Sequence, residues 1–197
     1  MKPIEIIVAV DKYGGFGKNG KIPWKFPADM KHFREVTTGG ICIMGRVTHQ
    51  DMVEMAHARR IENAEKEVIE KKKVIKTKKT IVPAERPRIT KILANRECFV
   101  ITSNREYDAE GATPAPSLRV VMDSLPTNDQ RTVFVIGGGK LFTEALAWAN
   151  KVHVTVIPEG YDCHRHFPLK YLTKNFRVGG GTKVDELMFV TYHRVAK

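Results

Sequence analysis

Cysteine is scarce: the 197 residues contain three, Cys42, Cys98 and Cys163. An odd number with no paired spacing argues against a disulfide framework and for a reducing compartment. Long apolar runs are missing too. The N-terminal run from Ile6 to Val10 ends at Asp11, too short for a signal-peptide core, and nothing approaches the roughly 20 apolar residues of a membrane helix. The chain therefore reads as a soluble, cytoplasmic protein with no membrane partner. Acidic residues are outnumbered, 22 Asp and Glu against 33 Lys and Arg, giving a formal net charge of +11. Such an excess suits nucleic acid, an acidic surface or anionic small ligands. Hydrophobic residues at 42% and charged residues at 28% exclude a disordered or collagen-like chain, and the length fits one domain carrying a large insertion. No internal repeat is present.

Hydrophobic patterning gives a buried strand at Ile4–Val10, a Gly-rich loop from Lys12 to Trp24, and a helix opened by Pro27 and running from Ala28 to about Val36. A strand follows at Ile41–Met44. From Thr48 a helical pattern with a thin apolar stripe continues through Met52, Ala56, Ile61, Ala64 and Val68. Glu62 with Lys66 and Glu67 with Lys71 stand i,i+4 in the favourable order for a solvated helix. A lysine run from Lys71 to Lys79 and the prolines Pro83 and Pro87 end it. Between Val53 and Lys91 twelve Lys and Arg oppose six Asp and Glu, so this segment holds +6 of the +11. It reads as an inserted basic helical arm, over about 53–89, and any nucleic-acid partner is confined to it. Further strands are expected at Cys98–Thr102, Arg119–Met122, Thr132–Ile136, Lys151–Ile157 and Leu187–Val195, with a helix at Lys140–Ala149 and a turn at Gly179-Gly180-Gly181. Strands alternating with helices of about ten residues imply an α/β sandwich with a largely parallel sheet and an antiparallel C-terminal edge.

Three segments carry chemistry. In Pro27-Ala28-Asp29-Met30-Lys31-His32-Phe33, the carboxylate of Asp29 shares one helical turn with the apolar Met30 and Phe33. On spacing alone it equally suits a solvated first-turn Asp favouring the helix dipole. Gly45-Arg46-Val47-Thr48 ends a strand and opens a helix, so close backbone approach, free N–H groups and an Arg make an anion site; a plain strand-to-helix turn has the same pattern. Ile136-Gly137-Gly138-Gly139-Lys140-Leu141-Phe142 repeats the arrangement. Because Phe142 takes the last glycine position, it is no Gly-x-Gly-x-x-Gly fingerprint, yet it still presents backbone N–H groups to a pyrophosphate. Cys163-His164-x-His166 lacks a convincing fourth ligand and reads as an inter-strand loop rather than a metal site.

Together with Gly17-Lys18-Asn19-Gly20-Lys21-Ile22-Pro23-Trp24, these segments, in this order and spacing, resemble dihydrofolate reductase. The resemblance continues through Leu93-Ala94-Asn95-Arg96, Ile101-Thr102-Ser103, Thr155 and His166-Phe167-Pro168. It covers the chain except for roughly Val53 to Ile89. It implies a single domain of that fold over 1–197 and NADPH-dependent reduction of dihydrofolate, with hydride passing to C6 and a proton to N5. By resemblance, Asp29 binds the pterin amidine edge and Trp24 orders the water that delivers the proton. Ile7, Val8, Ala9, Met30, Phe33, Leu93 and Ile136 wall the substrate, Arg96 pairs with its α-carboxylate, and Thr155 hydrogen-bonds the pocket carboxylate.

For the cofactor, the resemblance places Ala9, Phe16, Gly17, Gly20 and Lys21 at nicotinamide and ribose. It places Gly45, Arg46, Val47 and Thr48 at phosphates, and Thr102 and Ser103 at the 2′-phosphate. Gly137, Gly138, Gly139, Lys140, Leu141 and Phe142 take the pyrophosphate, with a cis peptide at Gly137-Gly138. Three departures stand out. Phe142 replaces a frequent tyrosine, Asn95 a usual glycine, and His164 an acidic residue that couples to the mobile loop. A pyrimidine reductase of riboflavin synthesis shares the fold and the nicotinamide chemistry. A basic nucleic-acid-binding or assembly protein on a reductase scaffold is the alternative from another class.

Overall fold

The apolar run at the start of the chain forms β1 (Ile4–Val10), the centre of the structure, a computed structural model that describes residues 2–74 and 88–196. Its Ile4, Ile6, Val8 and Val10 enter the larger core, while Glu5, Ile7 and Ala9 alternate to the opposite face. After β2 (Gly15–Gly17), Pro27 opens α1 (Pro27–Thr37), where its missing N–H costs nothing. Then come β3 (Ile41–Gly45), α2 (Arg46–Val74), β4 (Glu97–Ile101), β5 (Thr113–Ala115) and α3 (Leu118–Ser124). The chain continues through β6 (Val133–Gly137), α4 (Gly139–Leu146), β7 (Lys151–Val156), β8 (Arg165–His166), α5 (Leu169–Asn175), β9 (Phe176–Val184) and β10 (Leu187–Arg194).

The main sheet has the order β5-β4-β3-β6-β1-β7-β10-β9. Its pairs from β5 to β7 are parallel and β10 is antiparallel to both neighbours, which is the expected mostly parallel sheet with an antiparallel C-terminal edge. β2 and β8 form a separate small ribbon.

Two local expectations are corrected. Arg119–Met122 lies in the helix α3, because the Ser117 side chain accepts from Val120 N and caps it, and Leu118 and Val121 are buried three apart while Val120 is exposed. Gly179-Gly180-Gly181 is not a turn but the middle of β9, paired with β10. A Cβ on Gly179 would fall 2.0 Å from the exposed His193 ring, so the imidazole lies over the glycine and would have to turn aside for any larger residue. The reversal instead occurs at Asp185-Glu186, with Asp185 at φ 54°. Pro114 sits in β5, an outermost strand, where a missing N–H is tolerated. The short elements β2, β8 and α5 carry no periodic signal long enough to read.

α2 runs 29 residues, and every residue from Ala58 to Lys66 is exposed, so the helix leaves the body about three turns after its start. The expected Glu62–Lys66 pair forms at 2.6 Å. The side chains of Glu67 and Lys71, and the segment with Lys76, Lys78, Lys79, Pro83 and Pro87, lie outside the described residues. Where the chain returns, Glu110 accepts Ile89 N and lies 3.1 Å from His57 Nε2, and Arg88 pairs with Asp108. No described helix is long and apolar enough to cross a membrane.

Candidate active site

α1 crosses the sheet face that carries Glu5, Ile7 and Ala9. Asp29, in its first turn, is 8% exposed and hydrogen-bonds Thr155, itself 2% exposed on β7. Register places Ala9, Thr155 and Phe189 side by side across β1, β7 and β10. Burial pushes the Asp29 carboxyl above its usual range, and the Thr155 hydrogen bond only partly opposes this. Trp24 is buried with Ala9, Ala28 and Phe189, 5.2 Å from the Tyr161 ring, and its indole N–H has no protein partner. A buried donor of this kind, packed in the cluster that takes in Ala28 next to Asp29 in the chain, is suited to hold a water.

Farther along α1, Met30 and Phe33 are half-buried. The Arg96 guanidinium lies 5.9 Å from the Phe33 ring centre and donates to Thr37 Oγ1 and Ala94 O, both at 2.9 Å. These bonds fix its plane and leave an edge for a carboxylate. Asn95 adopts φ 59°, so it does the work of the glycine it replaces. Leu93 and Ile136 share a cluster with Val36 and Met52 on the same face. Val8 belongs to the opposite core, so only its backbone faces this pocket.

The second half of the site is a cradle of chain turns. A Cβ on Gly45 would lie 3.5 Å from Gly138 N, one on Gly137 2.7 Å from Thr48 Oγ1, and one on Gly139 3.4 Å from Phe16. A Cβ on Gly20 would lie 3.4 Å from Val47, at the tip of a hairpin in which Lys18 and Lys21 pair around Asn19 and Gly20, both at positive φ. Thus the Gly17–Lys21 loop, the Gly45–Thr48 turn and the Gly137–Phe142 turn meet. The Gly137-Gly138 peptide is cis. Neither α2 nor α4 has an acid in its first turn, so both N-termini favour an anion. Gly45 pairs in register with Ile101, so Thr102 and the exposed Ser103 follow at the same end of the sheet as the turn that begins at Arg46.

The family model described as dihydrofolate reductase matches residues 3–89 and 66–194. The chain belongs to the dihydrofolate reductase family. Among its relatives, dihydrofolate reductase type 3 of Salmonella typhimurium is 29% identical over 165 residues, covering 84% of this chain and 78% of that one. Dihydrofolate reductase of Bacillus subtilis is 28% identical over 165 residues, covering 84% and 75%. The solved structure of dihydrofolate reductase from Enterococcus faecalis complexed with NADP(H) and RAB-propyl superposes with a TM-score of 0.72 at 25% identity, over 98% of this chain and 97% of that one.

Within this family frame some side chains lie away from the cradle. Leu141 and Phe142 are buried in the core, Phe142 packing edge-on against Phe16 and Phe167, and the Phe142 N–H is already bonded to Gly138 O. Lys140 is exposed on the first turn of α4, and Lys21 pairs with Glu54 of α2 at 3.5 Å. A cleft of about 410 Å³ between α2 and Tyr107–Glu110, lined by His49, lies beyond the cradle rather than in it.

Sequence reasoning missed Thr37, which holds Arg96, and Asp11, which holds the loop. It also missed Asp162, which takes Lys18 at 3.0 Å while His164 contributes a backbone bond to Gly17 O. None of these has a motif; each becomes visible only through a partner distant in sequence.

Asp11, 2% exposed, accepts from Tyr13 N at 2.9 Å, Gly15 N at 2.8 Å and Tyr161 N at 3.0 Å. Burial works against its charge, but these bonds outweigh burial and hold the carboxyl below its usual range. Its stabilising contribution is therefore full above the unfolded-state value and is lost as pH falls through the folded one. Asp11→Ala is expected to cost about 2 kcal/mol in urea unfolding at neutral pH, with the difference from the parent protein shrinking at acid pH.

Proposed function

We infer that this chain is an NADPH-dependent dihydrofolate reductase. It converts 7,8-dihydrofolate to 5,6,7,8-tetrahydrofolate and so supports one-carbon and thymidylate metabolism. The observation that carries the reading is the buried Asp29–Thr155 pair beside Ala9, next to a cradle of glycine turns and two acid-free helix N-termini. NADPH fits that cradle because its pyrophosphate finds backbone N–H groups and Arg46 there; when bound it supplies the hydride.

The protein's own groups do the rest. Asp29 holds the pterin amidine edge and favours its polarised form. It cannot at the same time reach N5, so the proton comes through a water that the buried Trp24 indole N–H holds in place. Ile7, Ala9, Met30, Phe33, Leu93 and Ile136 exclude bulk solvent from the ring and benzoyl group, and Val8 contributes backbone. Phe16, Gly17, Gly20 and Lys21 close over the nicotinamide side, and Thr102 and Ser103 read the 2′-phosphate. Residues 1–197 form one reductase domain with an insertion at about 53–89, a division supported by the length and exposure of α2. Three buried free cysteines support a cytoplasmic location.

The test is loss of reduced-nicotinamide absorbance with dihydrofolate present, compared with NADH and with the pyrimidine substrate of riboflavin synthesis. No turnover with NADPH and dihydrofolate overturns the reading. The Phe33–Arg96–Thr37 arrangement favours folate, since it presents a guanidinium edge beyond an aromatic wall. Arg96→Lys is accordingly expected to raise the KM for dihydrofolate by about thirtyfold, roughly 2 kcal/mol, with kcat within about twofold. A KM change below about threefold would show that Arg96 does not bind the substrate carboxylate.

A further inference from the structure

Two thiols sit behind the Arg96 end of the pocket, and the reaction uses neither. Cys42 on β3 and Cys98 on β4 are partners in register on neighbouring parallel strands, so their side chains leave the sheet on the same face. Both belong to the cluster against which Leu93 and Ile136 pack. Parallel neighbours hold their Cα atoms about 4.8 Å apart, inside the span of about 4.4–6.8 Å that a disulfide bridges. The two thiols are hydrogen-bonded to each other. Cys163, the third free cysteine, packs in a different cluster.

The pair is tied to both anchors of that end. Thr37 Oγ1 donates to Phe33 O at 2.7 Å, accepts from Arg96 at 2.9 Å and is hydrogen-bonded to the Cys42 thiol. Cys98 stands two residues after Arg96, and its sulfur accepts from the Leu93 N–H. We propose that Cys42 and Cys98 are a site of reversible oxidation, closed to a disulfide by hydrogen peroxide, that loosens the hold of Thr37 and Arg96 on the carboxylate end of the substrate. The effect on substrate rests on the reductase reading of this pocket; the disulfide itself does not.

The surroundings set the order of events. Cys98 keeps 5% exposure and Cys42 none, so a small oxidant meets Cys98 first. The bond from Cys42 holds the Cys98 thiol below its usual range; the Arg96 charge and the Leu93 N–H add to this, while burial and Glu97 oppose it. Its thiolate attacks the peroxide, an S–O bond forms as the O–O bond breaks, and the departing hydroxide leaves as water with the proton lost from Cys98. The bond to Cys98, burial and the Cys98 charge push Cys42 up. Two of these three causes vanish once Cys98 is a sulfenic acid, which frees Cys42 to attack it. The S–S bond forms, the S–O bond breaks, and the second hydroxide takes the Cys42 proton as water. Two thiols are oxidised and one peroxide becomes two waters. The disulfide takes the Cys42 thiol from Thr37 and draws the Cys98 sulfur away from Leu93. At Cys163, burial and the Asp11 charge push the thiol up, so it resists the same oxidant.

The test treats the parent protein with hydrogen peroxide at neutral pH, unfolds it in the presence of an alkylating agent and maps the cysteines by peptide mass spectrometry. The expected product carries a Cys42–Cys98 disulfide and an alkylated Cys163. Cys42→Ser is expected to stop at a sulfenic acid on Cys98, trapped by dimedone, whereas Cys98→Ser leaves Cys42 and Cys163 as thiols. The oxidised parent is expected to show a KM for dihydrofolate raised about fivefold and an NADPH Kd within about twofold, with dithiothreitol restoring the KM. Cysteines that all remain alkylatable after peroxide, oxidation at Cys163 ahead of the pair, or a disulfide that leaves the KM unchanged overturns the proposal. A parent protein without dihydrofolate turnover defeats the functional reading instead. The cysteine map needs neither turnover nor a variant, and it then decides the disulfide.

Discussion

Asp29→Asn lowers turnover with NADPH and dihydrofolate by at least about 100-fold at pH 7 and leaves the NADPH Kd within about twofold. The size follows from what the carboxylate does: Asn keeps its shape and can still bond Thr155, but it cannot carry charge to a polarised pterin edge. The cofactor constant stays because the cradle is built by other turns, around Gly45 and Gly138. The same substitution has a second consequence with opposite sign. Burial raises the Asp29 carboxyl above its usual range. A carboxyl raised in the folded state contributes stability that is full below its unfolded-state value and disappears as pH rises through the folded one. At pH 8 the fold therefore bears an ionised, buried Asp29 at a cost, and Asn relieves it. Asp29→Asn should melt higher than the parent at pH 8 and lose that advantage near pH 4, by thermal unfolding at each pH. An inactive variant that also melts lower at pH 8 would point to misfolding rather than to loss of a functional carboxylate. Near-normal turnover would remove Asp29 from the reaction altogether.

The part of this site that could be read from the chain is the part built by neighbours in sequence. Pro27 and the apolar Met30 and Phe33 mark the turn that carries Asp29, and Gly45-Arg46 marks the end of a buried strand. What could not be read is decided across the sheet. That Thr155 falls between Ala9 and Phe189, or that Thr37 supports Arg96, depends on register and on where α1 crosses. The same limit explains α3. Leu118, Val120 and Val121 suit a strand by composition, and the helix forms because Ser117 caps it and its buried face has a period of three to four. The stretch of α2 up to Lys66 was legible as a solvated helix from its charge order, and Glu62–Lys66 shows why such pairs are readable: both partners lie about one turn apart.

Two runs of three glycines make the point most sharply, because they look alike in sequence and should respond oppositely. Gly137 has φ 152°, and a Cβ there would meet Thr48 Oγ1 at 2.7 Å and Thr48 Cγ2 at 3.1 Å. Gly180, within β9, has nothing within 4 Å of its added Cβ. Gly137→Ala is expected to raise the NADPH Kd by at least about 100-fold and to lower stability by roughly 2 kcal/mol or more, since the side chain must displace Thr48 from the turn that meets Gly137 and Gly138. Gly180→Ala should leave both within error of the parent or slightly improve stability, because alanine restricts the unfolded chain more than glycine does. The cause can be separated further. Adding Thr48→Ala to Gly137→Ala removes the two closest atoms but not the backbone strain, so stability recovers in part while NADPH affinity stays low. Fluorescence titration with NADPH and urea unfolding of the four proteins measure both quantities. Parent-like affinity in Gly137→Ala would mean that the dinucleotide does not lie in the glycine cradle, and full recovery of affinity in the double variant would make Thr48 an obstacle rather than a ligand.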